Sequence, residues 1–322
     1  MKESPLFWPA KLKGDTLFVL DETLLPSKQK YVSVKTTTQA VAVIKQMKTR
    51  AFGQFLVVLN TFLLVLKQDK KSSDKVLFAK LKKAADALNK SRPTFPFSEV
   101  TGMVLGWAQG ALAQNKDLRS TLEKSINGFL IGIRGRRLER VQKIAEVIAK
   151  TKTVLTHCNV SGELAMAAAI CKAKGKTISF FATETRPYFQ GAKLTCWELK
   201  KAGVPVTLVA DNAVGTLLRD KMIDAVVVGS DRSCANGDFA NKIGTLQIAV
   251  MAKEFGVPFY VLTQPSNKVK KGKDIPIEIR HEDEILKFNG KRIAPKGVKG
   301  LYPGFDVVPH KFVTKTIAIN VN

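Results

Sequence analysis

The sequence has few of the residues that build disulfide frameworks and zinc sites. Its 322 residues include four cysteines and three histidines, and neither set shows a paired spacing. The pattern therefore indicates neither a secreted, disulfide-stabilised protein nor a metal site. Because thiols stay reduced in the cytoplasm, we expect a cytoplasmic location.

Long hydrophobic runs are also lacking. Residues 1–15 mix charges with prolines, so we predict no signal peptide. The most membrane-like stretch, residues 52–66, is interrupted by Gln54, Asn60 and Thr61. It is too short and too polar for a membrane span, so we predict a buried helix there and no membrane contact.

Acidic residues are scarce relative to basic ones. The chain has 27 Asp and Glu against 52 Lys and Arg, a formal net charge of +25. Local clusters of basic residues occur at 134–137, 268–271 and 291–299. Such a charge attracts anionic ligands, including nucleic acid. Because no aromatic RNA-binding motif or zinc finger accompanies it, we interpret it as a solvated, lysine-rich surface and do not expect a nucleic-acid partner.

The C-terminal half alternates apolar, β-rich runs with helix-like stretches. The predicted strands cover residues 154–156, 178–181, 206–209, 225–228 and 259–262, and helices are predicted at 163–172, 194–201 and 244–254. The strands lack a polar alternation, as expected for strands that are covered on both faces. Strands that alternate with helices predict βαβ units in a parallel, doubly wound sheet, and thus an α/β fold.

The N-terminal third has a different pattern. It contains two short predicted strands, at 16–21 and 31–34, and predicted helices at 38–47, 52–66, 75–88 and 99–113. A long charged helix at 118–150 follows. We therefore predict a smaller, mainly helical N-terminal domain with short strands at residues 1–125 and a Rossmann-like catalytic domain at 126–322.

Polar residues follow several of the predicted strands at their carboxyl ends, where parallel α/β sheets bind ligands. Asp231 comes shortly after the strand at 225–228, in a segment that also holds Asn241 and Lys242. Cys158 follows the strand at 154–156. Taken alone, an aspartate there is as often a helix cap or turn residue, and a cysteine is more often an inert apolar residue. We nevertheless identify Asp231 as a candidate active-site residue.

An ordered series of motifs runs nearly the whole length of the chain. Its members are residues 20–26, Arg50, 91–94, 156–159, 184–187, 190–195, 210–211, 231–245 and 305–307. This series resembles the 5-methylthioribose-1-phosphate isomerases. Their superfamily also holds ribose-1,5-bisphosphate isomerases and the regulatory subunits of a eukaryotic translation-initiation exchange factor.

The resemblance implies a fold, a reaction and a set of site residues. It implies the isomerisation of 5-methylthioribose 1-phosphate, an aldose, to a ketose in methionine salvage by a homodimer, with no cofactor or metal. The catalytic pair falls on Cys158 and Asp231, and the substrate contacts fall on Arg50, Arg92, Gln190, Asn241 and Lys242. Asp231 would protonate the ring oxygen, which requires a desolvated carboxyl group. Cys158 would move hydrogen between C2 and C1, either as a base or by assisting a hydride shift.

Two departures from the family pattern leave the substrate open. Ala51, Phe52 and Gly53 stand where the family usually has Gly-Ala-Pro, and Glu184 follows Cys158 by only 26 residues. The short spacing is closer to the bisphosphate isomerases and the exchange-factor subunits, whereas residues 231–238 are closer to the methylthioribose-phosphate group. Ribose 1,5-bisphosphate and 5-deoxyribose 1-phosphate therefore stay alternative substrates. A non-catalytic regulatory subunit is the second hypothesis, although a pure scaffold has no need of the catalytic pair.

The resemblance leaves other candidate residues with structural roles. We expect His157 to be structural, because neighbouring side chains in an extended segment point to opposite faces. Cys171, Cys196 and Cys234 are expected to be inert. Phe52 either lines the substrate pocket or begins an apolar helix face.

Overall fold

The structure is a computed structural model that describes residues 3–92, 95–264 and 269–319. Within these residues the chain packs as two compact units. One unit holds Pro5–Gly135, and the other holds the described residues from Arg136 onward together with residues 3–4. The division falls inside a 31-residue helix, Leu118–Ile148, which also contains the predicted boundary at residue 125.

The N-terminal unit combines a small antiparallel sheet with helices. Its strands are β1 (Ala10–Lys13), β2 (Thr16–Leu20) and β3 (Tyr31–Val34), and they lie in the order β1-β2-β3. Its helices are α1 (Thr37–Lys45), α2 (Ala51–Gln68), α3 (Asp74–Ser91), α4 (Phe97–Ala113) and the first part of α5 (Leu118–Ile148). Strand β1 was not predicted, although its four residues alternate apolar side chains with lysine, as half-buried strands do.

Helix α2 forms the centre of the N-terminal unit. Leu56, Val57, Leu59 and Phe62 are fully buried, which places apolar residues on several faces of the helix. Among the described residues this helix is long and apolar enough to cross a bilayer, yet 67% of its residues are buried inside the protein. The prediction of a buried helix is therefore confirmed, but its stated reason was wrong, because the helix extends beyond 52–66 and is neither too short nor too polar to cross a bilayer.

The C-terminal unit is built on parallel strands linked by helices. Its strands are β4 (Thr153–Thr156), β5 (Ser179–Thr183), β6 (Val206–Val209), β7 (Ala225–Gly229), β8 (Arg232–Ser233), β9 (Phe239–Lys242), β10 (Phe259–Thr263), β11 (Ile279–Arg280), β12 (Lys287–Phe288), β13 (Lys291–Arg292), β14 (Tyr302–Pro303), β15 (Phe305–Val308) and β16 (Lys315–Ala318). Its helices are α6 (Glu163–Ala173), α7 (Cys196–Lys201), α8 (Val214–Arg219), α9 (Thr245–Glu254) and α10 (Asp283–Leu286). A π-helical turn, Gly191–Thr195, runs directly into α7.

The main sheet has the strand order of a doubly wound fold. Its order is β16-β10-β7-β4-β5-β6, and all neighbouring strands are parallel. The chain starts at the central strand β4, moves outward through β5 and β6, returns to β7 and moves outward again through β10 and β16. The strand order reverses between β4 and β7, where open α/β sheets bind their ligands. The predicted α/β fold is confirmed.

Several parts of this unit were not predicted from the sequence, among them the strand pairs β11-β14 and β12-β13. The outer strand β16 carries two exposed residues out of four and lacks an apolar run. Strands β8, β9 and β15 form a separate antiparallel sheet in the order β15-β9-β8. Asn241 and Lys242 therefore lie on a strand, β9, in a segment where the sequence analysis placed no strand.

Candidate active site

The candidate catalytic residues follow the two strands at the sheet's reversal point. Leu155 of β4 lies in register with Val226 of β7, so the carboxyl ends of the two strands lie side by side. Cys158 comes shortly after the first strand and Asp231 shortly after the second. A Cβ atom at Gly229 would lie 3.0 Å from Cγ1 of Val160. The missing side chain thus lets the loop after β4 pack closely against the end of β7.

Cys158 has an unusual backbone conformation. Hydrogen bonds to its N–H and to its carbonyl oxygen stabilise that conformation. Its φ is 63°, in the left-handed region that residues other than glycine seldom adopt. Its N–H donates to Oγ1 of Thr185 at 3.0 Å, and its carbonyl oxygen accepts from Oγ1 of Thr195 at 2.6 Å. The residue is partly buried and forms no disulfide. The loop therefore presents Cys158 in one defined orientation.

The other cysteines differ from Cys158 in their surroundings. Cys171 and Cys234 are buried, and Cys196 is partly buried. Burial raises the pKa of all three thiols above the ordinary value of a cysteine. A thiol with a raised pKa holds little of the reactive thiolate at neutral pH, which fits the inert character expected for these three residues.

Asp231 is held by strand β9. Its N–H donates to the carbonyl oxygen of Ala240 at 2.9 Å. The side-chain amide of Asn241 is oriented so that its nitrogen faces acceptors and its oxygen faces a donor. In this orientation Nδ2 lies 3.3 Å from Oδ2 of Asp231 and 3.2 Å from the carbonyl oxygen of Gly229. Asn241, predicted as a substrate contact, is 4% exposed and lies beside the Asp231 carboxyl group.

Lys242 is buried among aromatic rings. Its Nζ lies 4.8 Å from the ring centre of Phe305, 5.3 Å from that of Tyr188 and 5.9 Å from that of Tyr302. Nζ also donates to the Tyr302 hydroxyl at 3.4 Å. Because an ammonium group held among rings is shielded from water, its attraction for an anion such as phosphate is strong.

Tyr188 and Tyr302 are site residues that the sequence analysis missed. Burial raises the pKa of Tyr302 above its ordinary value, and Tyr188, Glu284 and Cys158 add to that rise. Burial also raises the pKa of Tyr188 to about 12. Its hydroxyl donates to Glu284 at 2.5 Å and accepts from Arg280 at 2.6 Å. Both phenols therefore stay protonated at neutral pH.

Gln190 brings a polar atom into the buried part of this unit. The residue is 4% exposed, and its Oε1 has no hydrogen-bond partner among the described residues. Because a buried acceptor without a partner costs about 1–3 kcal/mol, the arrangement suits a ligand that donates a hydrogen bond.

At the next residue, Gly191, a Cβ atom would lie 1.8 Å from the carbonyl oxygen of Thr183. Only glycine therefore allows the π-helical turn to pack against β5.

Arg50 and Arg92 lie in the N-terminal unit. The backbone N–H of Arg50, just before α2, donates to the Glu22 carboxylate at 3.2 Å. Nη1 of Arg92, which follows α3, donates at 3.1 Å to Oε1 of Gln54 in the first turn of α2. The structure thus brings both arginines to the N-terminal end of α2. Arginine side chains and helix N-termini both favour anions.

His157 is buried, and both of its ring nitrogens have partners. Nδ1 lies 2.6 Å from Oγ1 of Thr183, and Nε2 lies 2.8 Å from the carbonyl oxygen of Ile243. Burial lowers the pKa of the imidazole below its ordinary value. These contacts fit the structural role expected for His157.

Comparisons with known proteins assign this arrangement to a family. The sequence profile of the Initiation factor 2 subunit family matches residues 54–318. A methylthioribose-1-phosphate isomerase of Acetivibrio thermocellus is 37% identical, and the match covers 96% of this chain and 94% of that protein. A 5-deoxyribose 1-phosphate isomerase of Moorella thermoacetica is 36% identical, with 98% and 92% covered.

The fold also matches a solved structure over nearly its whole length. The crystal structure of 5-methylthioribose 1-phosphate isomerase from Pyrococcus horikoshii superposes with a TM-score of 0.84 at 29% sequence identity. The match covers 98% of this chain and 93% of that chain. The similarity thus includes both units.

Proposed function

We propose that this chain, a member of the Initiation factor 2 subunit family, converts 5-methylthioribose 1-phosphate to 5-methylthioribulose 1-phosphate. Within the family it belongs to the methylthioribose-1-phosphate isomerases. One observation carries the proposal. Cys158 and Asp231 follow adjacent central strands, β4 and β7, at the reversal point of the sheet. An acid and a nucleophilic base are thereby available at the usual ligand-binding edge.

The substrate requires an acid because its C1 oxygen carries the phosphate, so the ring cannot open as an ordinary hemiacetal. In our mechanism Asp231 gives its proton to the ring oxygen as the bond between C1 and that oxygen breaks. The Asn241 amide, 3.3 Å from Oδ2, then stabilises the carboxylate that remains.

Hydrogen then moves from C2 to C1 by one of two routes. In the proton route the Cys158 thiolate takes the proton from C2 and an enol forms between C1 and C2. The thiol then protonates C1 while the C2 hydroxyl gives its proton to Asp231 and becomes a ketone. In the hydride route the hydrogen moves to C1 with its electron pair, and the Cys158 thiolate accepts the proton of the C2 hydroxyl. Proton exchange with solvent then restores the Cys158 thiolate and the Asp231 acid.

The remaining predicted residues bind the substrate in this proposal. Lys242 attracts the phosphate, and Oε1 of Gln190 accepts a hydrogen bond from a sugar hydroxyl; its lack of a partner among the described residues supports that role. The phosphate contacts of Arg50 and Arg92 follow from the family pattern and stay predictions.

The test offers 5-methylthioribose 1-phosphate, 5-deoxyribose 1-phosphate and ribose 1,5-bisphosphate separately and measures ketose formation. We expect the highest kcat/KM with the methylthio substrate. Cys158→Ser and Asp231→Asn are nearly isosteric, and each should lower kcat by at least about 10²–10⁴ because a proton carrier is lost. Cys171→Ser serves as the matched control and should keep wild-type turnover. Inactivity of the wild type on all three substrates would refute the proposal.

Deuterium incorporation separates the two routes of hydrogen transfer. In D₂O the proton route places deuterium at C1 of the product when the thiol exchanges with solvent before it protonates C1. The hydride route leaves the C1 position unlabelled. The same experiment on Asp231→Asn should give neither product nor exchange at C2 if ring opening must come first.

A second candidate function is a non-catalytic, translation-associated subunit. The net charge of +25 and the 26-residue spacing from Cys158 to Glu184 favour it. A stoichiometric protein or RNA partner that survives high salt during purification, together with no turnover, would support this candidate over the isomerase.

We also propose that the protein forms a homodimer through its C-terminal domain. Dimers with twofold symmetry are the commonest soluble oligomers. Sedimentation equilibrium at micromolar concentration should give twice the chain mass of 35.4 kDa. A single species of chain mass would contradict the dimer.

A further inference from the structure

We infer that Thr195 and Thr185 are positioning residues that hold Cys158 in its left-handed conformation, and that Glu198 and Asp211 fix the two threonines. The inference deepens the proposed function and rests on it, because it concerns the orientation of the proposed base. It adds four residues to the machinery around Cys158. Neither the predicted site residues nor the family comparisons include them in that role.

The first half of this arrangement acts on the carbonyl oxygen of Cys158. Nδ2 of Asn159 donates to Oγ1 of Thr195 at 3.0 Å and to Oε1 of Glu198 at 2.8 Å. Because the Thr195 oxygen accepts from Asn159, its single proton is directed to the Cys158 carbonyl oxygen, 2.6 Å away. The direction of every hydrogen bond is thus set by the carboxylate at the end.

The orientation of the Asn159 amide is itself determined from its other side. Its Oδ1 accepts from the N–H of Ser161 at 2.8 Å, so its Nδ2 must face Glu198 and Thr195. The second carboxylate oxygen of Glu198 accepts from Oγ of Ser4 at 2.9 Å. Glu198 is 3% exposed and Thr195 is 1% exposed, so water does not compete for these bonds.

The second half acts on the N–H of Cys158. That group donates to Oγ1 of Thr185, which itself adopts a φ of 63°. The Asp211 carboxylate accepts from the N–H of Thr185 and from the N–H of Arg186, both at 2.7 Å. Asp211 thereby fixes the turn that places the Thr185 hydroxyl.

The two halves together explain why a cysteine can occupy this conformation. A left-handed backbone is strained for a residue with a Cβ atom, and such a conformation persists only where its surroundings determine it. With one side of the arrangement removed, the loop can relax toward the ordinary region and move the thiol. Because a displacement of about 1 Å at a reacting group can lower a rate by about 10², the effect should appear in catalysis.

Thr195→Val is the test, because valine keeps the shape and removes the hydroxyl. We expect kcat to fall by about 10–100-fold with KM changed less than about twofold, since the lost contact orients the base and not the substrate. The pH profile of Cys158 alkylation by iodoacetamide, followed on its own peptide by mass spectrometry, should shift as well. Thr195→Ser keeps the hydroxyl and should restore most of the wild-type kcat and profile.

Thr61→Val is the matched control. Thr61 is also fully buried, and its Oγ1 donates to a backbone carbonyl oxygen, that of Val57, at 2.7 Å. It lies in the middle of α2, where the Val57 carbonyl also accepts the helical backbone N–H, so Thr61→Val should change the melting temperature little and leave kcat and the alkylation profile unchanged. A Thr195→Val protein that shows the same pattern as this control would overturn the inference.

The experiment also separates this inference from the proposed function. If the wild type turns over none of the sugar phosphates, the proposed function fails, while the alkylation profile still shows whether Thr195 positions Cys158. If Thr195→Val does not fold, Asp211→Asn replaces it, since Asp211 is more exposed than Thr195. It should shift the same profile and lower kcat, and an unshifted profile with unchanged kcat would again overturn the inference.

Discussion

The strongest stability prediction concerns a buried ion cluster behind the Cys158 loop. Oε1 of Glu163 accepts from Nε of Arg137 at 2.7 Å and from Nη2 of Arg140 at 2.6 Å, and its Oε2 accepts from Nε of Arg140 at 2.6 Å. The three side chains are between 1% and 5% exposed. Glu163→Gln keeps the shape, removes the negative charge and turns an amide donor toward a guanidinium donor.

The expected loss follows from the burial of both partners. Removing one member of a buried ion pair costs about 3–5 kcal/mol, because the remaining charge stays buried without compensation. In a unit of this size each kcal/mol lowers the melting temperature by about 2–4 °C, so we expect a decrease of about 6–20 °C. The remaining contacts, such as Nη1 of Arg140 to the carbonyl oxygen of Thr263 at 2.9 Å, do not replace the lost charge.

The pH dependence provides a second measurement of the same interaction. Burial alone raises the pKa of Glu163, but Arg140 and Arg137 outweigh it and hold the pKa below its ordinary value of 4.5. A carboxyl group whose pKa is lowered by folding contributes to the unfolding free energy above pH 4.5, its ordinary pKa. This contribution is lost as the pH falls through the pKa of the folded state. The Glu163→Gln protein should therefore show a flatter decline of the unfolding free energy in acid.

Chemical and thermal denaturation measure the effect against two comparison variants. Asp220→Asn breaks the exposed ion pair with Arg219 and should leave stability unchanged. Replacing Arg137, Arg140 and Glu163 together by methionine or leucine should recover much of the loss, since no uncompensated charge remains. A Glu163→Gln protein that is destabilised by less than about 1 kcal/mol would refute the reasoning.

Two further predictions concern His157 and Phe52. Burial lowers the pKa of His157, so its neutral form stabilises the fold. This contribution to the unfolding free energy is present above about pH 6.5 and is lost as the pH falls. His157→Gln should remove this pH dependence from urea denaturation curves. A dependence that is unchanged in the variant would contradict the assignment. The Phe52 ring packs against the rings of Trp8 and Phe55, with centre-to-centre distances of 5.7 and 6.0 Å. Phe52→Ala should therefore lower the stability of the protein. The ratio of kcat/KM for the methylthio substrate to that for the 5-deoxy substrate should stay within about twofold of the wild-type ratio. A shift of that ratio by about tenfold would instead place the ring at the bound sugar.

Five of the six strands of the main sheet could be predicted because they are runs of apolar and β-branched residues bounded by polar residues, and β16 is the exception. The predicted helix at 244–254 and the observed helix, Thr245–Glu254, differ by one residue. The predicted strand at 206–209 matches β6 in both bounds. In α9 local propensity and burial favour the same structure, whereas β6 is a largely exposed edge strand that its β-branched residues indicate through propensity alone.

The burial of the basic residues on α5 could not be predicted. The cluster at 134–137 was interpreted as solvated surface, and that interpretation is wrong for Arg137, which is 2% exposed. Its partner Glu163 lies 26 residues further along the chain and appears in the sequence only as the first residue of a predicted helix. Pairing across such a separation depends on the tertiary fold and leaves no periodic signal in the chain.

The aromatic surroundings of Lys242 could not be predicted for a related reason. Tyr302 lies on β14, a strand of two residues that follows a long stretch without an apolar period. Tyr188 lies in the loop after β5, and its hydroxyl is held by Arg280 and Glu284 from much later in the chain. The rings around one ammonium group thus come from two separate segments, the loop at Tyr188 and residues 302–305, and neither carries a local pattern that indicates it.

The two candidate catalytic residues are held by different parts of the C-terminal unit. Cys158 depends on the turns after β5 and on the π-helical turn before α7, through Thr185 and Thr195. Asp231 depends on the antiparallel sheet, through Ala240 and Asn241 of β9. In the proposed mechanism, an acid that protonates the ring oxygen and a group that moves hydrogen at C2 must each keep its own geometry. Largely separate supports for the two side chains meet that requirement, and His157 links them through its contact with the carbonyl oxygen of Ile243.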